Sequence, residues 1–530
     1  MIPFENDLIR FFATKAKIKK KKDNINMQLG YCIKNFKDDT KDLTSEQMSQ
    51  IKSWWDKISF AYPVNAEWHK MYTSKTGVFS PFYIPNELHY YFVEYNLIDY
   101  DYLRAFTDKN YLGLLFSDIK QPPTVIRCIK GLYYKDDFTP INLDEAVEIV
   151  KENSLSGIVI KPSIHSWGGR NISFIKEELS NTRVKSIFSN YGKNFIIQNV
   201  ITQHPALANI HSESVNTMRI ITILINGQVN ILSACLRMGV GKSKVDNFSQ
   251  GGVGCGIKDN GQLKPVGYDR FGNKVLKHPN GFKFENCIIP NFNRIKETVI
   301  KAAMRVPQFG VASWDFALDK EGVPVLIEYN VSQGGIDIHQ YNNGPLYGEK
   351  TEEIFEYVFK NYCFEDTTLQ YNYNVFKDHV TIKKASKDMR FIYVKDIHHN
   401  IAVTRIGEHA FENSKIKRVR LPKTITNIDY CAFYNCLELK KIKLPSELKV
   451  IGRSAFNNCI NLKYIHIPSN VTTIGKLAFK GIESLEIYIP NSVINIAEDA
   501  FEGCENLTIS AEENSYAYHY AKSHGFKVEI

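Results

Sequence analysis

The chain has 530 residues, of which 44% are hydrophobic and 23% are charged, and its formal net charge is +9. This length predicts two to four domains, and the composition is that of an ordinary globular protein rather than a disordered or fibrous one. The mild basic excess allows an anionic partner, but no motif typical of DNA or RNA recognition accompanies it. Nucleic-acid binding is therefore not expected.

Neither a transmembrane segment nor a secretion signal is expected. No stretch approaches the roughly 18–20 apolar residues of a spanning helix, and the N-terminus lacks the apolar core of a signal peptide. The 10 cysteines include no Cys-x-x-Cys pair, which argues against zinc and favours the reducing cytoplasm. The basic run KAKIKKKK, residues 15–22, has two interpretations: a solvated terminal segment, or a weak peripheral anchor at the anionic inner membrane surface.

The first 104 residues are rich in aromatic side chains and are predicted to be helical. They include the segments SWWDKISFAYPVNAEWHKMY and ELHYYFVEYNLIDYDYL. Trp54, Trp55 and Trp68 are most simply core residues. We assign no chemistry to this region.

A lysine followed by a glycine-bearing loop comes next, in a region (residues 105–365) where β-rich runs alternate with loops. The run GIVIK predicts a short buried strand that ends in Lys161, and the loop after it contains Gly168 and Gly169. Backbone N–H groups of such a loop can approach phosphate oxygens closely, and the lysine supplies a positive charge. On its own this pattern is weakly specific.

The segment MRIITILINGQVNILSACLR predicts a hairpin around the two-residue turn Asn226-Gly227. That turn places Arg219 opposite Ala234 and puts Arg237 three residues away along the ladder. The two arginines then lie on opposite faces of the sheet unless a bulge intervenes. Taken alone, Arg219 is also compatible with a surface ion pair.

A polar glycine loop follows the hairpin in VDNFSQGGVGCGI, residues 245–257. Asn247, Gly251 and Gly252 are suited to cover a ligand, because a simple connecting turn does not need so many glycines.

Three oxygen-bearing side chains interrupt the apolar pattern of SWDFALDKEGVPVLIEYNVSQGG, residues 313–335. A four-residue loop at 319–322 pairs Asp315 with Leu326, so that Glu328 and Asn330 share the face of Asp315. Oxygen ligands with open positions for phosphate and water are what a hard divalent cation prefers. The alternative is a solvent-exposed sheet face, which the flanking apolar residues argue against.

The last 130 residues repeat a unit of 22 or 23 residues that reads I-G-x-x-A-F-x-x-C-x-x-L-x-x-I-x-I-P. The Ala-Phe pair recurs at Phe411, Phe433, Phe456, Phe479 and Phe501. A period in the twenties predicts a solenoid whose units bury their apolar faces by stacking. These units resemble leucine-rich repeats of the BspA-like type, over about residues 401–510, and the different tail SYAYHYAKSHGFKVEI is predicted to cap the stack.

Aligning the repeats on their prolines reveals a second pattern. The positions two and four residues before proline share one strand face, and this outward stripe runs from basic to aromatic: Arg418, Arg420, Lys441, Lys443, Tyr464, His466, Glu486 and Tyr488. The stripe is interpreted either as solvated strand residues that oppose aggregation or as a docking face for an anionic polymer or a protein.

The order of the motifs in residues 50–365 resembles the ATP-grasp superfamily, and within it the sugar-transfer-associated ATP-grasp proteins. The phrases that carry the resemblance are TDKN, IVIKPSIHSWGGRNI, QHPALANIHSESVNTMRI, LRMG, VDNFSQGGVGCGI, WDFALD, LIEYNVSQGG and NNGPLYG. The resemblance implies an α+β fold: an ATP-grasp core (105–365) with a helical N-terminal region (1–104), a junction (366–400) and a leucine-rich-repeat solenoid with its cap (401–530).

The resemblance also implies roles for individual residues, with ATP and Mg²⁺ as cofactors. The residues implied to bind ATP are Lys109, Lys161, Gly168, Gly169, Gln198, Asn199, Val200 and Ile201. Many family members have an acid where this chain has Asn199, so the ribose contact differs here. Arg219 and Arg237 would hold the γ-phosphate and the developing acyl phosphate, with Asn247 beside them. Asp315, Glu328 and Asn330 would hold Mg²⁺.

The implied activity is that of a carboxylate–amine ligase, which activates an acid as an acyl phosphate and transfers it to an amine. The name of the family points to a substrate borne on a cell-surface or capsular polysaccharide or its precursor. Two alternatives stay open: an ATP-dependent phosphotransferase, or a nucleotide-binding scaffold whose repeats bind a partner. No covalent enzyme intermediate is expected.

Overall fold

The computed structural model describes residues 42–58, 64–164, 171–331, 334–362, 371–376, 379–385, 391–394, 396–398 and 401–530. The described residues up to Val358 form one unit, and those from Phe359 onward form a second. The first unit combines helices with two sheets, and the second is a β-solenoid. The predicted fold class is therefore confirmed. None of the described helices has the length and apolar character needed to cross a bilayer.

Helices dominate the start of the first unit, as the sequence predicts. Trp55 and Trp68 are 1% exposed and belong to its core. The α-helices up to the end of this unit are α1 (Ser45–Ile58), α2 (Glu67–Thr76), α3 (Asn86–Leu88), α4 (Glu94–Leu97), α5 (Leu103–Phe106), α6 (Leu112–Leu115), α7 (Leu143–Ser154), α8 (Asn181–Tyr191), α9 (Pro205–Ala208), α10 (Phe292–Met304), α11 (Ile336–Asn343) and α12 (Thr351–Tyr362). A π-helical turn, His89–Val93, joins α3 to α4.

The first sheet is antiparallel and has six strands in the order β3-β2-β1-β6-β4-β5. Its strands are β1 (Thr124–Ile129), β2 (Leu132–Tyr134), β3 (Pro140–Ile141), β4 (Ile158–Pro162), β5 (Ser173–Ile175) and β6 (Asn194–Asn199). Helix α7 packs on β1 and against α8. It begins with a capping box, in which Asn142 and Glu145 each accept a backbone N–H of the other.

The second sheet is antiparallel and has seven strands in the order β11-β10-β9-β8-β7-β12-β13. Its strands are β7 (Thr217–Ile225), β8 (Gln228–Met238), β9 (Val253–Ile257), β10 (Leu263–Tyr268), β11 (Lys274–Val275), β12 (Val311–Leu318) and β13 (Pro324–Asn330). Helix α10 packs on β7, β8 and β12, with its buried Ile295 and Val299 in the same core cluster as Ile220 and Trp314. The alternate residues of these strands, including Arg219 and Asp315, therefore lie on the other face.

Two β-bulges change the predicted register of the hairpins. In β7–β8 the register shifts at Ile221/Thr222, so Arg219 pairs with Cys235 rather than with Ala234, and Thr217 pairs with Arg237. The two arginines are therefore two residues apart along the ladder and share one face, which corrects the expected three-residue offset. The bulge that the sequence left open is the physical reason.

The second bulge lies in β12–β13, between Asp315 and Phe316. The turn is also one residue longer than expected, since Leu318 pairs with Pro324 rather than with Val323. The longer turn and the bulge together shift the register by two residues, so Asp315 pairs directly with Glu328 rather than with Leu326, and Ser313 pairs with Asn330. Asp315, Glu328 and Asn330 share one face, as predicted, but Asp315 and Glu328 lie directly opposite each other rather than two residues apart along the ladder. Strand β12 also pairs with β7 so that Asp315 lies opposite Arg219.

The second unit stacks short parallel strands at the predicted period. One series comprises β18 (Ile401–Ile406), β20 (Asn427–Ile428), β22 (Val450–Ile451), β24 (Thr473–Ile474) and β26 (Asn495–Ile496). The other comprises β16 (Phe391–Tyr393), β19 (Arg418–Arg420), β21 (Lys441–Lys443), β23 (Tyr464–His466), β25 (Ser484–Tyr488), β27 (Asn506–Ser510) and β28 (Lys527–Glu529). The predicted junction, 366–400, contains β14 (Tyr371–Val375), β15 (Val380–Ala385), β16 and β17 (Ile397–His398), and β15 and β16 pair with the solenoid strands.

A ladder of stacked phenylalanines fills the solenoid. The rings of Phe433 and Phe456 are 5.2 Å apart and those of Phe456 and Phe479 are 5.5 Å apart, nearly parallel in both cases. The repeated cysteines Cys436, Cys459 and Cys504 are buried free thiols, as the sequence predicts. The tail forms α13 (Tyr516–Ser523) and β28, which pairs with β27, so the predicted cap is present.

We expect Phe456→Ala to lower the stability of the solenoid by about 3–5 kcal/mol, because it opens a cavity in the middle of a continuous stack. Urea unfolding followed by far-UV circular dichroism measures this loss. All five tryptophans precede residue 359, so tryptophan fluorescence in the same titration reports on the first unit. The exposed Lys449→Ala, in the same solenoid, is the matched control. A loss below about 1 kcal/mol would contradict the importance of the ladder.

Candidate functional site

A cleft of the first unit lies between its two sheets. One wall comes from β4, β5 and β6, with Lys161, Phe174 and Gln198, and the other from β7, β8, β12 and β13, with Arg237 and Glu328. The cleft is polar at the second sheet and apolar at the first.

An acid held between two arginines forms the floor of the cleft. Asp315 is fully buried, and Arg219 binds it with two parallel hydrogen bonds, Nε to Oδ1 at 2.8 Å and Nη2 to Oδ2 at 2.7 Å. Arg237 Nη2 lies 3.2 Å from the same Oδ2. A buried carboxylate is costly unless it is paired, and these two guanidinium groups satisfy Asp315 without a bound ligand.

Arg237 is fixed in turn by two residues that the sequence reasoning missed. Its Nη2 donates to Thr217 Oγ1 at 2.8 Å and lies 3.3 Å from Asp246 Oδ1. Asp246 accepts the hydroxyl and, at 3.1 Å, the backbone N–H of Thr217. Burial raises the pKa of Asp246, an effect that the charge of Arg237 opposes. The acid next to the predicted Asn247 was a signal that could have identified this anchor.

Two lysines and Glu328 face each other above this floor. The backbone N–H of Lys109 donates to the carbonyl of Ser163, just after β4, which brings the side chain of Lys109 to that of Lys161. Lys109 Nζ lies 3.2 Å from Glu328 Oε2. Burial and the charge of Lys109 lower the pKa of Lys161 to about 8, and the charge of Glu328 opposes them.

Glu328 is the most open of the acidic groups in the cleft, with 27% of its side chain exposed. Burial on its own would raise the pKa of Glu328. Four cations outweigh that effect and lower the pKa to about 2: Lys109, Lys161, Arg219 and Arg237. Glu328 is therefore ionised. The four cations around it carry more positive charge than one carboxylate neutralises, so this part of the cleft is suited to a multiply charged anion.

The other end of the cleft is an apolar slot with two polar atoms that lack partners. Val159, Phe174 and Ile327 contribute apolar surface. Gln198 Oε1 and Asn199 Oδ1 are buried and have no hydrogen-bond partner among the described residues. Buried polar atoms are normally satisfied, so these two acceptors indicate a ligand that donates hydrogen bonds beside a flat apolar group.

Asn330 lies next to the acid pair but lines a different space. It belongs to a small closed cavity with Ser313, His89, Glu94 and Gly334, and its Nδ2 is buried without a hydrogen-bond partner in the described structure. At Gly334 a Cβ would lie 2.2 Å from Ser313 Oγ. The chain after β13 therefore passes close to the side chain of Ser313 on β12, and a side chain at position 334 would require the Ser313 hydroxyl to move.

Three side chains with oxygen donors lie near one another on β12 and β13, although Arg219 and Arg237 occupy the oxygens of Asp315 in the empty cleft. Asp315 and Glu328 are directly opposite each other and Asn330 is one ladder step beyond Glu328 on the same face, so three side chains with oxygen donors are adjacent. Among the described residues no three His, Cys, Asp or Glu side chains form a metal-binding group. A complete coordination sphere here would thus require oxygens from a bound phosphate or from water.

Most of the predicted site residues meet in this cleft. Those that line it are Lys109, Lys161, Gln198, Asn199, Val200, Ile201, Arg237, Asn247, Asp315 and Glu328. Arg219 is linked to the cleft by its hydrogen bonds to Asp315, and Asn330 lines the small cavity beside the cleft. Gly168 and Gly169 lie outside the described residues. Gly251 and Gly252, predicted as a cover, are not among the lining residues, although Asn247 of the same loop is.

Family models match both parts of the chain. Residues 106–354 match the sugar-transfer associated ATP-grasp model. Residues 389–508 match the BspA type leucine rich repeat region in six copies. No curated protein matches the chain.

Solved structures give more remote similarities. A leucine-rich repeat protein of T. pallidum is 28% identical, over 26% of this chain and 68% of that chain, with a TM-score of 0.26. The biotin carboxylase domain of the Hydrogenobacter thermophilus 2-oxoglutarate carboxylase is 14% identical, over 48% of this chain and 46% of that chain, with a TM-score of 0.31. An L-amino acid ligase from Bacillus licheniformis is 16% identical, over 47% of this chain and 48% of that chain, with a TM-score of 0.27. The chain thus spans about half the length of the two enzymes.

Replacing Gly334 by alanine should destabilise the first unit by about 1–3 kcal/mol, because its Cβ would overlap Ser313 Oγ. Thermal unfolding followed by tryptophan fluorescence measures the loss. Ser313→Ala removes the hydroxyl that the new Cβ would overlap. The remaining Ser313 Cβ would lie 3.3 Å from the new Cβ. The double variant Ser313→Ala/Gly334→Ala should therefore regain most of the stability lost by Gly334→Ala, and an absence of rescue would contradict the close approach.

Proposed function

We propose that this protein, which carries a sugar-transfer associated ATP-grasp domain followed by BspA-type leucine-rich repeats, is an ATP-dependent ligase that joins a carboxylate to an amine. The observation that carries the proposal is the charge arrangement of the cleft. Two lysines and two arginines surround the paired Asp315 and Glu328, next to an apolar slot with unsatisfied acceptors. This arrangement fits a purine base, a polyphosphate and a site for a divalent cation in one cleft.

The nucleotide is proposed to lie with its base in the apolar slot. Phe174 and Val159 would contact the flat faces of adenine, and Gln198 Oε1 would accept from its exocyclic amine. Asn199 Oδ1 would accept from a ribose hydroxyl, a contact that the family more often makes with an acid. Lys161 and Lys109 would then lie along the phosphates.

The residues of the second sheet would prepare the γ-phosphate for transfer. Mg²⁺ held by Asp315, Glu328 and Asn330 would neutralise charge on the phosphate oxygens. Arg219 and Arg237 are placed by Asp315, Thr217 and Asp246 before the nucleotide binds, so they stabilise the transferring group with little reorganisation.

The proposed reaction needs only positioned groups and no covalent enzyme intermediate. A carboxylate oxygen of the acid attacks the γ-phosphorus in line, the bond to the bridging oxygen breaks, and ADP leaves with that electron pair. The nitrogen of the amine then attacks the acyl carbon, loses a proton and expels phosphate, which gives an amide. By the character of its family, the protein is proposed to act on a polysaccharide or a precursor of one.

The proposal is tested by incubating the purified protein with Mg-ATP, candidate uronic or amino acids, and an amine. We expect phosphate release that requires both the acid and the amine, with a product whose mass equals their sum less one water. A stable phosphorylated product would instead favour the phosphotransferase alternative. ATP binding with no turnover on any pair would favour the scaffold alternative.

Glu328→Gln tests the acid that faces the lysines in the same assay. It keeps the shape of the side chain but removes its charge, so Mg²⁺-dependent turnover should fall by at least a hundredfold while the protein stays folded. Glu321→Gln is the matched control, because Glu321 is an exposed acid in the turn of the same hairpin. Normal turnover in Glu328→Gln would remove Glu328 from the site.

The pKa of Lys161 gives a pH-dependent test of phosphate binding. In the free protein this pKa is about 8, so between pH 7 and pH 9 Lys161 loses its charge. Bound phosphates favour the charged form and raise the pKa. ATP affinity should therefore fall as the pH rises through this range, and binding near pH 8.5 should take up part of a proton.

Calorimetry in two buffers of different ionisation enthalpy measures that proton uptake. ATP has no titrating phosphate proton at pH 8.5, so the uptake belongs to the protein. Lys161→Met should bind more weakly and should lose most of the uptake. An equal uptake in this variant would assign the proton to another group.

A further inference from the structure

The outward side of the solenoid strands carries a row of side chains that the cleft chemistry does not use, on two successive sheets, β16-β19-β21 and β23-β25-β27-β28. We call it the repeat face, and it consists of Arg418, Arg420, Lys441, Lys443, Tyr464, His466, Glu486 and Tyr488. Parallel pairing places Arg418 beside Lys441 and Arg420 beside Lys443. It also places His466 beside Tyr488. The strand residues between these columns, such as Ile442 and Ile465, are buried, so the backbone beneath the face is rigidly held.

One half of the repeat face is basic. Lys441 and Lys443 are exposed, and Arg418 and Arg420 are half-buried on the neighbouring strand. The exposed Lys440 and Lys463, next to the strands, add charge of the same sign. This half of the repeat face is complementary in charge to a ligand with regularly spaced anionic groups.

The other half of the repeat face is aromatic. Tyr464 is 56% exposed. The rings of His466 and Tyr488 are stacked, with centroids 4.5 Å apart and planes at 6°. The stacked rings of His466 and Tyr488 cover one face of each other, so a ligand would meet their edges and remaining faces together with the exposed ring of Tyr464. Such surfaces suit the C–H faces of sugar rings, which an acidic polypeptide does not offer.

We propose that the repeat face binds an anionic polysaccharide, with carboxylates of the polymer on the basic half and sugar rings on the aromatic half. Neighbouring strands of a sheet are about 4.8 Å apart, which is close to the length of one pyranose unit, so a linear polymer can follow the stack of repeats. This binding does not depend on the ligase activity. An anionic polysaccharide bound at the repeat face would, however, carry carboxylates of the kind that the proposed ligase activates.

Binding to polygalacturonate oligomers, measured by microscale thermophoresis with the full-length protein, tests this proposal. The methyl-esterified oligomer of the same length is the neutral probe, and polyglutamate, a poly-dT oligonucleotide and phosphatidylserine vesicles are the other anionic probes. We expect polygalacturonate to bind best, to weaken as salt rises, and to lose most of its affinity on esterification.

Two double variants separate the halves of the repeat face. Lys441→Glu/Lys443→Glu should weaken polygalacturonate binding roughly tenfold or more. Tyr464→Ala/His466→Ala should weaken it several-fold while leaving the weaker binding of polyglutamate unchanged. Lys449→Glu/Lys476→Glu makes the same charge change at exposed positions outside the repeat face and should have no comparable effect. Circular dichroism and thermal unfolding confirm that each variant is folded.

The other outcomes identify a different occupant. Equal binding of polyglutamate and polygalacturonate, with no effect of the aromatic variant, would overturn the proposal in favour of an acidic protein. Preferential binding of poly-dT or of vesicles would overturn it in favour of a nucleic acid or a membrane surface. ATP-dependent ligation with small acids and amines is measured separately, so failure of glycan binding leaves the proposed reaction standing, and the reverse also holds.

Discussion

The paired hydrogen bonds between Arg219 and Asp315 are the interaction on which the site in the first unit depends. They exist because β7 and β12 pair with these two residues directly opposite each other. A bulge on each side of this central pair then brings Arg237 and Glu328 to the same face. A shift of one residue in either hairpin would turn the arginine or the acid toward the apolar core under α10, so core packing enforces the geometry of the site.

This pairing also makes the empty cleft electrostatically stable. Asp315 is fully buried and would be costly as an isolated charge, but two guanidinium groups compensate it, while Lys109 and Lys161 compensate Glu328. A bound polyphosphate adds negative charge where cations exceed acids. The protein can therefore hold its arginines in position in the empty cleft, which would limit the reorganisation that accompanies the proposed phosphoryl transfer.

The sequence predicts the side chains of this site better than their partners. Alternation along a strand is a local property, so the common face of Asp315, Glu328 and Asn330 could be deduced from the hairpin alone. Both bulges depend on packing between strands and could not be located, and the turn between β12 and β13 is one residue longer than assumed, so the exact ladder pairs were wrong. Asp246 could be noticed as an acid beside Asn247, but its partner Thr217 is 29 residues away, so the local sequence could not identify what Asp246 binds. In the solenoid the same sequence pattern recurs in every repeat and depends only on neighbouring residues. The fold, the cap and the outward stripe were therefore all predictable.

The two units therefore differ in how freely their functional residues can change. In the first unit Arg237 is tied to Asp315, Thr217 and Asp246, so a substitution at any of these positions disturbs the others. In the solenoid the phenylalanine ladder and the buried isoleucines maintain the fold, whereas Lys441, Lys443 and Tyr464 extend into solvent from a backbone that does not depend on them. Exchange at such positions costs little stability. If the two proposed functions are correct, the repeats can acquire a new ligand by exchange of exposed side chains while the residues of the cleft stay fixed.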